Sequence, residues 1–214
     1  MMKTRLLIPI AIVIAIVFSG FASTLAQQTN YQRVVVGNRV SLAIPNHWRV
    51  LNEDDRRNLA AAAETSGAPA HVAALAVNAT PAPTGAMIRV SILPDDLTQS
   101  DVRDALKRDR AGTMRQVAAE MDEQLLLMDA QLNQQGMNIL GKASATIDSI
   151  GGQVAFAMTY RRTSGTAGES PFTVTQFHIP LGATKVLITL SFRESTALVY
   201  SLILEHVKKS ITIN

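Results

Sequence analysis

The 214-residue chain contains no cysteine. That absence excludes disulfides, thiolate metal sites, a cysteine nucleophile and the lipidated cysteine of a lipoprotein leader. Aromatic residues are scarce, at 5%, and charged residues make up only 17%. Together with 47% apolar residues, so low a charged fraction excludes a disordered polyelectrolyte. The formal net charge of +3 is too small to indicate a nucleic-acid binder. Signature spacings are missing too. There is no Gly-x-Ser-x-Gly nucleophile elbow, no phosphate loop ending in Gly-Lys-Ser/Thr, and no His-x-x-x-His pair. What remains is a chain long enough to bury a real core.

The N-terminus is the most explicit segment. Lys3 and Arg5 precede an apolar run from Leu6 to Phe18, interrupted by Pro9, and small residues follow to Ala26. A basic start, an apolar middle and a small-residue end are the three parts of a secretory leader. Cleavage is expected between Ala26 and Gln27, which leaves a single globular domain over 27–214. An uncleaved membrane anchor is the alternative, since 6–25 is just long enough to span a bilayer. In both cases the body lies outside the cytoplasm, because the positive end stays inside. A periplasmic location is expected, or an inner-membrane anchor with the domain outside. Without Lys3 and Arg5 the body carries 18 basic and 17 acidic residues, a net +1.

The body alternates between strand and helix signals. Two strands, 34–36 and 39–44, flank Gly37–Asn38, residues that tolerate the positive φ of a tight hairpin. Pro45 ends the second strand, and Trp48 is expected to cover an edge of the core. A short helix starts at Asn52 and stops at Gly67. Strands are expected at 72–77 and 87–93. Thr98 and Asp101 then form a capping-box start to a helix reaching Gln134, with Gly112 as a point of bending or splitting. Strands at 138–148 and 153–162 flank Gly151–Gly152, and a further pair covers 171–179 and 185–192. Ser195 or Thr196 is expected to cap a closing helix, with Leu198, Leu202 and Ile203 as its apolar stripe. Antiparallel strand pairs with helices between and after them give an α+β class, a mainly antiparallel sheet covered by helices.

Few residues stand out as chemistry. His47, His71, His178 and His206 have no ligand spacing to one another or to carboxylates, so no metal or cofactor is expected. Asp95, Asp96 and Asp101 are better explained as helix-start acids than as calcium ligands. No catalytic residue is expected. Arg103, Lys107, Arg108 and Arg110 interleave with Asp101, Asp104 and Asp109, the pattern of a solvated, ion-paired helix face.

The long helix carries the one distinctive pattern. Met114, Met121 and Met128 recur every seven residues, and Ala118, Leu125 and Leu132 follow at an offset of four. Leu126 and Leu127 widen the apolar surface at the far end. Such a stripe packs a helix on a sheet. Because methionine is flexible and polarisable, Met114, Met121, Leu125 and Met128 also form a candidate partner surface.

The order of these elements resembles the PsbP-like α/β/α sandwich superfamily. An opening hairpin ends in Pro45-x-x-Trp48, a long helix precedes the Gly151–Gly152 hairpin, and Ser191–Phe192–Arg193 leads into a closing helix before Ser210–Ile211. The resemblance covers about 33–213. That superfamily includes an extrinsic lumenal protein of photosystem II, a Ran-binding import factor and bacterial periplasmic DcrB-like proteins. The leader favours the bacterial extracytoplasmic branch. The resemblance implies a non-catalytic binding or assembly protein whose partner is another envelope protein. An alternative is a carrier or chaperone for an apolar ligand or segment, and a hydrolase is a third. No nucleic-acid partner is implied, and membrane contact would run only through an uncleaved leader.

Overall fold

The computed structural model describes residues 30–50, the strand Leu75–Ala79 and residues 85–214. The leader, its Ala26/Gln27 junction and the helix expected from Asn52 lie outside the described residues.

The chain enters as a hairpin of β1 (Tyr31–Val36) and β2 (Val40–Pro45), paired Val36 to Val40. Gly37 and Asn38 both have φ of 55°, and the Arg39 N–H donates to the Val36 carbonyl at 3.1 Å. Two successive positive φ values give the turn the twist that adjoining strands need. β3 (Trp48–Val50) follows Pro45 after two residues and opens a second sheet. β4 (Leu75–Ala79) overlaps the strand expected at 72–77, and β5 is Ala86–Pro94.

The helical segment divides in two: α1 (Gln99–Arg108) and α2 (Arg110–Gln134). Thr98 and Asp101 make the expected capping box. The division falls at Asp109 rather than at Gly112. Asp109 leaves helical geometry at φ −152° and its carboxylate accepts the Gly112 N–H at 2.8 Å. Gly112 makes this possible, because a Cβ there would collide with the Asp109 carboxylate.

β6 (Ile139–Ile150) and β7 (Gln153–Arg162) meet at Gly151–Gly152, both with positive φ. β8 (Phe172–Pro180) and β9 (Thr184–Arg193) follow. A one-turn 3-10 helix, Glu194–Thr196, leads into α3 (Ala197–Ser210), and β10 (Thr212–Ile213) ends the fold. Neither Ser195 nor Thr196 caps α3 with its side chain; the Thr196 hydroxyl donates back to the Arg193 carbonyl at 2.9 Å.

The strands form two antiparallel sheets. The larger has the order β3-β4-β5-β9-β8-β7-β6, and the smaller β1-β2-β10. Period-two alternation gives the large sheet two different faces. On one, Ile88, Val90, Val186, Ile188 and Ile179 pack against Val40, Leu42 and Ile44 of the small sheet and Leu204, Val207 and Ile211 of the C-terminal segment. On the other, Phe156, Met158, Tyr160, Phe172 and Val174 pack against Val102, Met121 and Leu125 of α1 and α2. The large sheet is therefore the middle layer between α1–α2 and a layer made of α3 with the small sheet. Trp48 is buried in the first of these cores, its ring edge-on to Tyr200 at 6.1 Å.

The buried side of α3 differs from the expected stripe. Leu204 and Val207 face the core with partly buried Tyr200 and Ile203, whereas Leu198 and Leu202 are 90% and 66% exposed. The helix has aliphatic residues on two faces, so periodicity alone could not choose between them.

Candidate functional site

The methionine stripe meets the sheet. Met121 and Leu125 are buried against β7 and β8, and Met114 and Met128 lie partly buried at the edges of the same core. The Tyr160 hydroxyl, raised in pKa by its burial, donates to Met128 Sδ at 3.2 Å. Leu126 and Leu127 turn outward, 73% and 66% exposed, so they do not extend the stripe.

Beside Met121 the helix and sheet part to leave a cleft of about 200 Å³. Its apolar wall includes Met121 and Val117 from α2 and Phe156 from β7. Asp95 comes from the loop after β5, Glu120 from α2, His178 from β8 and Lys185 from β9. The register explains the convergence. His178 sits opposite Leu187 and Pro180 opposite Lys185, so the ends of β8 and β9 present both polar residues near the α2 midpoint. Burial, with a further contribution from Lys185, pushes the His178 imidazole down to about 4, against the pull of Asp95. It is therefore neutral at pH 7.

His178 begins a polar row across the sheet. Phe172, Val174, Gln176 and His178 share one face of β8, and Leu187, Thr189, Ser191 and Arg193 share that face of β9. Gln176 Oε1, His178 Nε2, Ser191 Oγ and Arg193 Nε are buried and find no hydrogen-bond partner among the described residues. A buried polar atom left unpaired costs about 1–3 kcal/mol, so such groups are normally satisfied by ordered water or a ligand. The sequence carried a signal for this row: the face that opens with Phe172 and Val174 turns polar halfway along β8.

At the far end of the row the Arg162 and Arg193 guanidiniums each lie over the Phe172 ring, at 4.9 and 4.8 Å. Arg193 also pairs with Glu169 at 2.8 Å, which holds that carboxyl below its usual range. Arg161, on the opposite face of β7, pairs with Glu194 at 2.6 Å.

The remaining candidates are scattered. The exposed His206 ring lies 4.1 Å from that of partly buried Tyr31, at the margin of the first core, and His71 lies outside the described residues. No group of three or more His, Asp or Glu side chains converges as a metal site among the described residues. Asp101 is the helix cap, its carboxyl lowered by the Thr98 hydrogen bonds. Lys107 pairs with Asp104 at 3.6 Å, and Arg103 donates to Gln153 at 3.4 Å, so half of the basic cluster is engaged locally.

A second surface lies on α3. Leu198, Val199 and Leu202 are 90%, 58% and 66% exposed and adjoin one another at spacings of one, three and four. The stripe ends in a charged pair, Glu205–Lys209 at 3.5 Å.

No protein-family model matches the sequence, and no curated protein matches it. Solved structures do. Cyanobacterial PsbP (CyanoP) from Synechocystis superposes with a TM-score of 0.50 at 16% identity, over 87% of this chain and 94% of that one. LpqN of Mycobacterium tuberculosis, involved in cell envelope biogenesis, superposes at 0.44 and 16% identity, over 89% and 94%. A Bacteroides thetaiotaomicron protein matches at 0.44 and 11% identity over 87% of this chain, which spans about half (49%) of that protein's length. The chain has the PsbP-like fold.

Proposed function

We propose that this chain, a PsbP-like α/β sandwich, is a non-catalytic binding or assembly protein of the extracytoplasmic envelope, and that another envelope protein seats on the outward face of α3. The observation that carries the reading is the exposure of Leu198, Val199 and Leu202 on one side of a helix whose other side already fills the core. Large aliphatic side chains grouped on a surface and rimmed by charge fit an interface core with a polar border. The leader pattern over 1–26 supports the compartment. Mass determination of the mature N-terminus tests that part: a start at Gln27 fits a cleaved leader, and an intact Met1 fits the anchor.

The surface itself is tested with a photo-crosslinking residue in place of Leu202, activated in intact cells. One discrete adduct is expected, and adding Leu198→Asp should abolish it without changing the far-UV circular dichroism. A ladder of non-specific adducts, or an adduct indifferent to Leu198→Asp, would sink the reading. The alternative, a carrier that uses Met114, Met121, Leu125 and Met128 as one wall, is weaker. Met121 and Leu125 are committed to the core and would have to leave it.

A further inference from the structure

We propose that the cleft beneath α2 binds an amino-acid-sized zwitterion. In this arrangement its carboxylate meets Lys185, its ammonium meets Asp95 and Glu120, and its side chain lies on Met121 and Phe156.

The argument starts from charge. Asp95, Glu120 and Lys185 line one cleft but come from a loop, a helix and a strand. Among the described residues neither Asp95 nor Lys185 makes an ion pair within 4 Å. Fixed charges of both signs on the walls of a small partly apolar space are complementary to a ligand carrying both signs at its own ends. Neutral His178 adds no fourth charge. Its buried Nε2 offers a hydrogen-bonding group at the floor, where an unpaired polar atom is costly until something pairs with it.

Size narrows the class. Pockets for drug-sized ligands run to about 300–1,000 Å³. The cleft, at about 200 Å³, is smaller and cannot enclose a whole nucleotide or a long acyl chain. An amino acid with an aliphatic or aromatic side chain suits both the volume and the Met121–Phe156 wall. This site lies on the opposite face of the large sheet from the α3 surface, so the two proposals stand or fall separately.

The test is isothermal titration calorimetry of the purified chain with free L-leucine and L-phenylalanine, and with their N-acetyl and C-terminal amide forms. The free amino acids should bind, and each blocked form should bind at least about tenfold more weakly, since each has lost one charge-assisted contact. Lys185→Ala should weaken the free amino acids and erase the preference over the amides. Asp95→Asn combined with Glu120→Gln should erase the preference over the N-acetyl forms. No binding of either free amino acid at about 10 mM would overturn the proposal. So would equal affinity for the blocked forms, or discrimination that survives the Lys185 variant and the Asp95–Glu120 double variant, each with unchanged circular dichroism.

Discussion

At the scale of single residues, His178 is the most consequential of the four histidines, although its spacing in the sequence assigns it no role. Nothing in its immediate neighbours marks it, because its character comes from what packs over it. Burial and Lys185 lower its pKa to about 4, while Asp95 opposes the change. An unfolded histidine titrates near 6.5. Between those values the unfolded chain binds a proton that the folded chain refuses, so stability falls as pH drops from about 6.5 to 4. The contribution at stake is about 3 kcal/mol, present in full above pH 6.5. His178→Gln should flatten that part of the curve, and urea denaturation at pH 7 and pH 4.5 checks it. Equal acid losses in the two proteins would show that His178 is not the source. Gly112 makes a complementary point. It was legible as a place where the helix is interrupted, but the interruption belongs to Asp109, whose carboxylate occupies the space a side chain at 112 would need.

At the scale of elements, α3 separates what periodicity can and cannot resolve. Its sequence places aliphatic residues on two sides; of the expected stripe, Leu198 and Leu202 are exposed and Ile203 packs against the core. Only the position of the small sheet selects Leu204 and Val207, since Ile211 and β10 tie the helix end against β2. Leu204→Ala should therefore destabilise the protein by about 2–5 kcal/mol. Leu202→Ala, in contrast, should change stability by no more than about 0.5 kcal/mol. Chemical denaturation of the two variants checks the assignment, and similar losses would refute it. α2 is the opposite case. Its heptad of methionines and leucines marks one face, and Met121 and Leu125 on that face are buried. Leu126 and Leu127 fall off the heptad and out of the core.

At the scale of the whole molecule, the two ends of the fold are joined. β10 pairs Thr212 with Ser41 and Ile213 with Val40. Arg33 adds hydrogen bonds to Ser41 at 2.8 Å and to Thr212 at 3.0 Å. The small sheet is thus completed by residues more than 170 positions apart in sequence, and a chain with no cysteine holds that closure by packing and hydrogen bonding alone. Deleting 211–214 removes buried Ile211 and the third strand together. Hydrogen exchange should then lose protection in β1 and β2 first, while β7, β8 and β9 retain theirs. Uniform loss across both sheets would instead show that the layers unfold as one unit.

The sequence by itself determined the local devices. Gly37–Asn38 and Gly151–Gly152 specify two hairpins because few residues adopt positive φ without strain. Thr98 and Asp101 specify a helix start, and Val154, Phe156, Met158 and Tyr160 alternate onto one face of a strand. The order of these devices was enough to indicate a PsbP-like sandwich. Tertiary structure alone decided which face of α3 is buried, where the helical segment divides, and which polar residues converge. The reason is physical. A turn or a cap is settled by a few adjacent residues. The cleft that unites Asp95, Glu120, His178 and Lys185 is set by strand register and by the helix laid across it, through contacts between residues far apart in the chain.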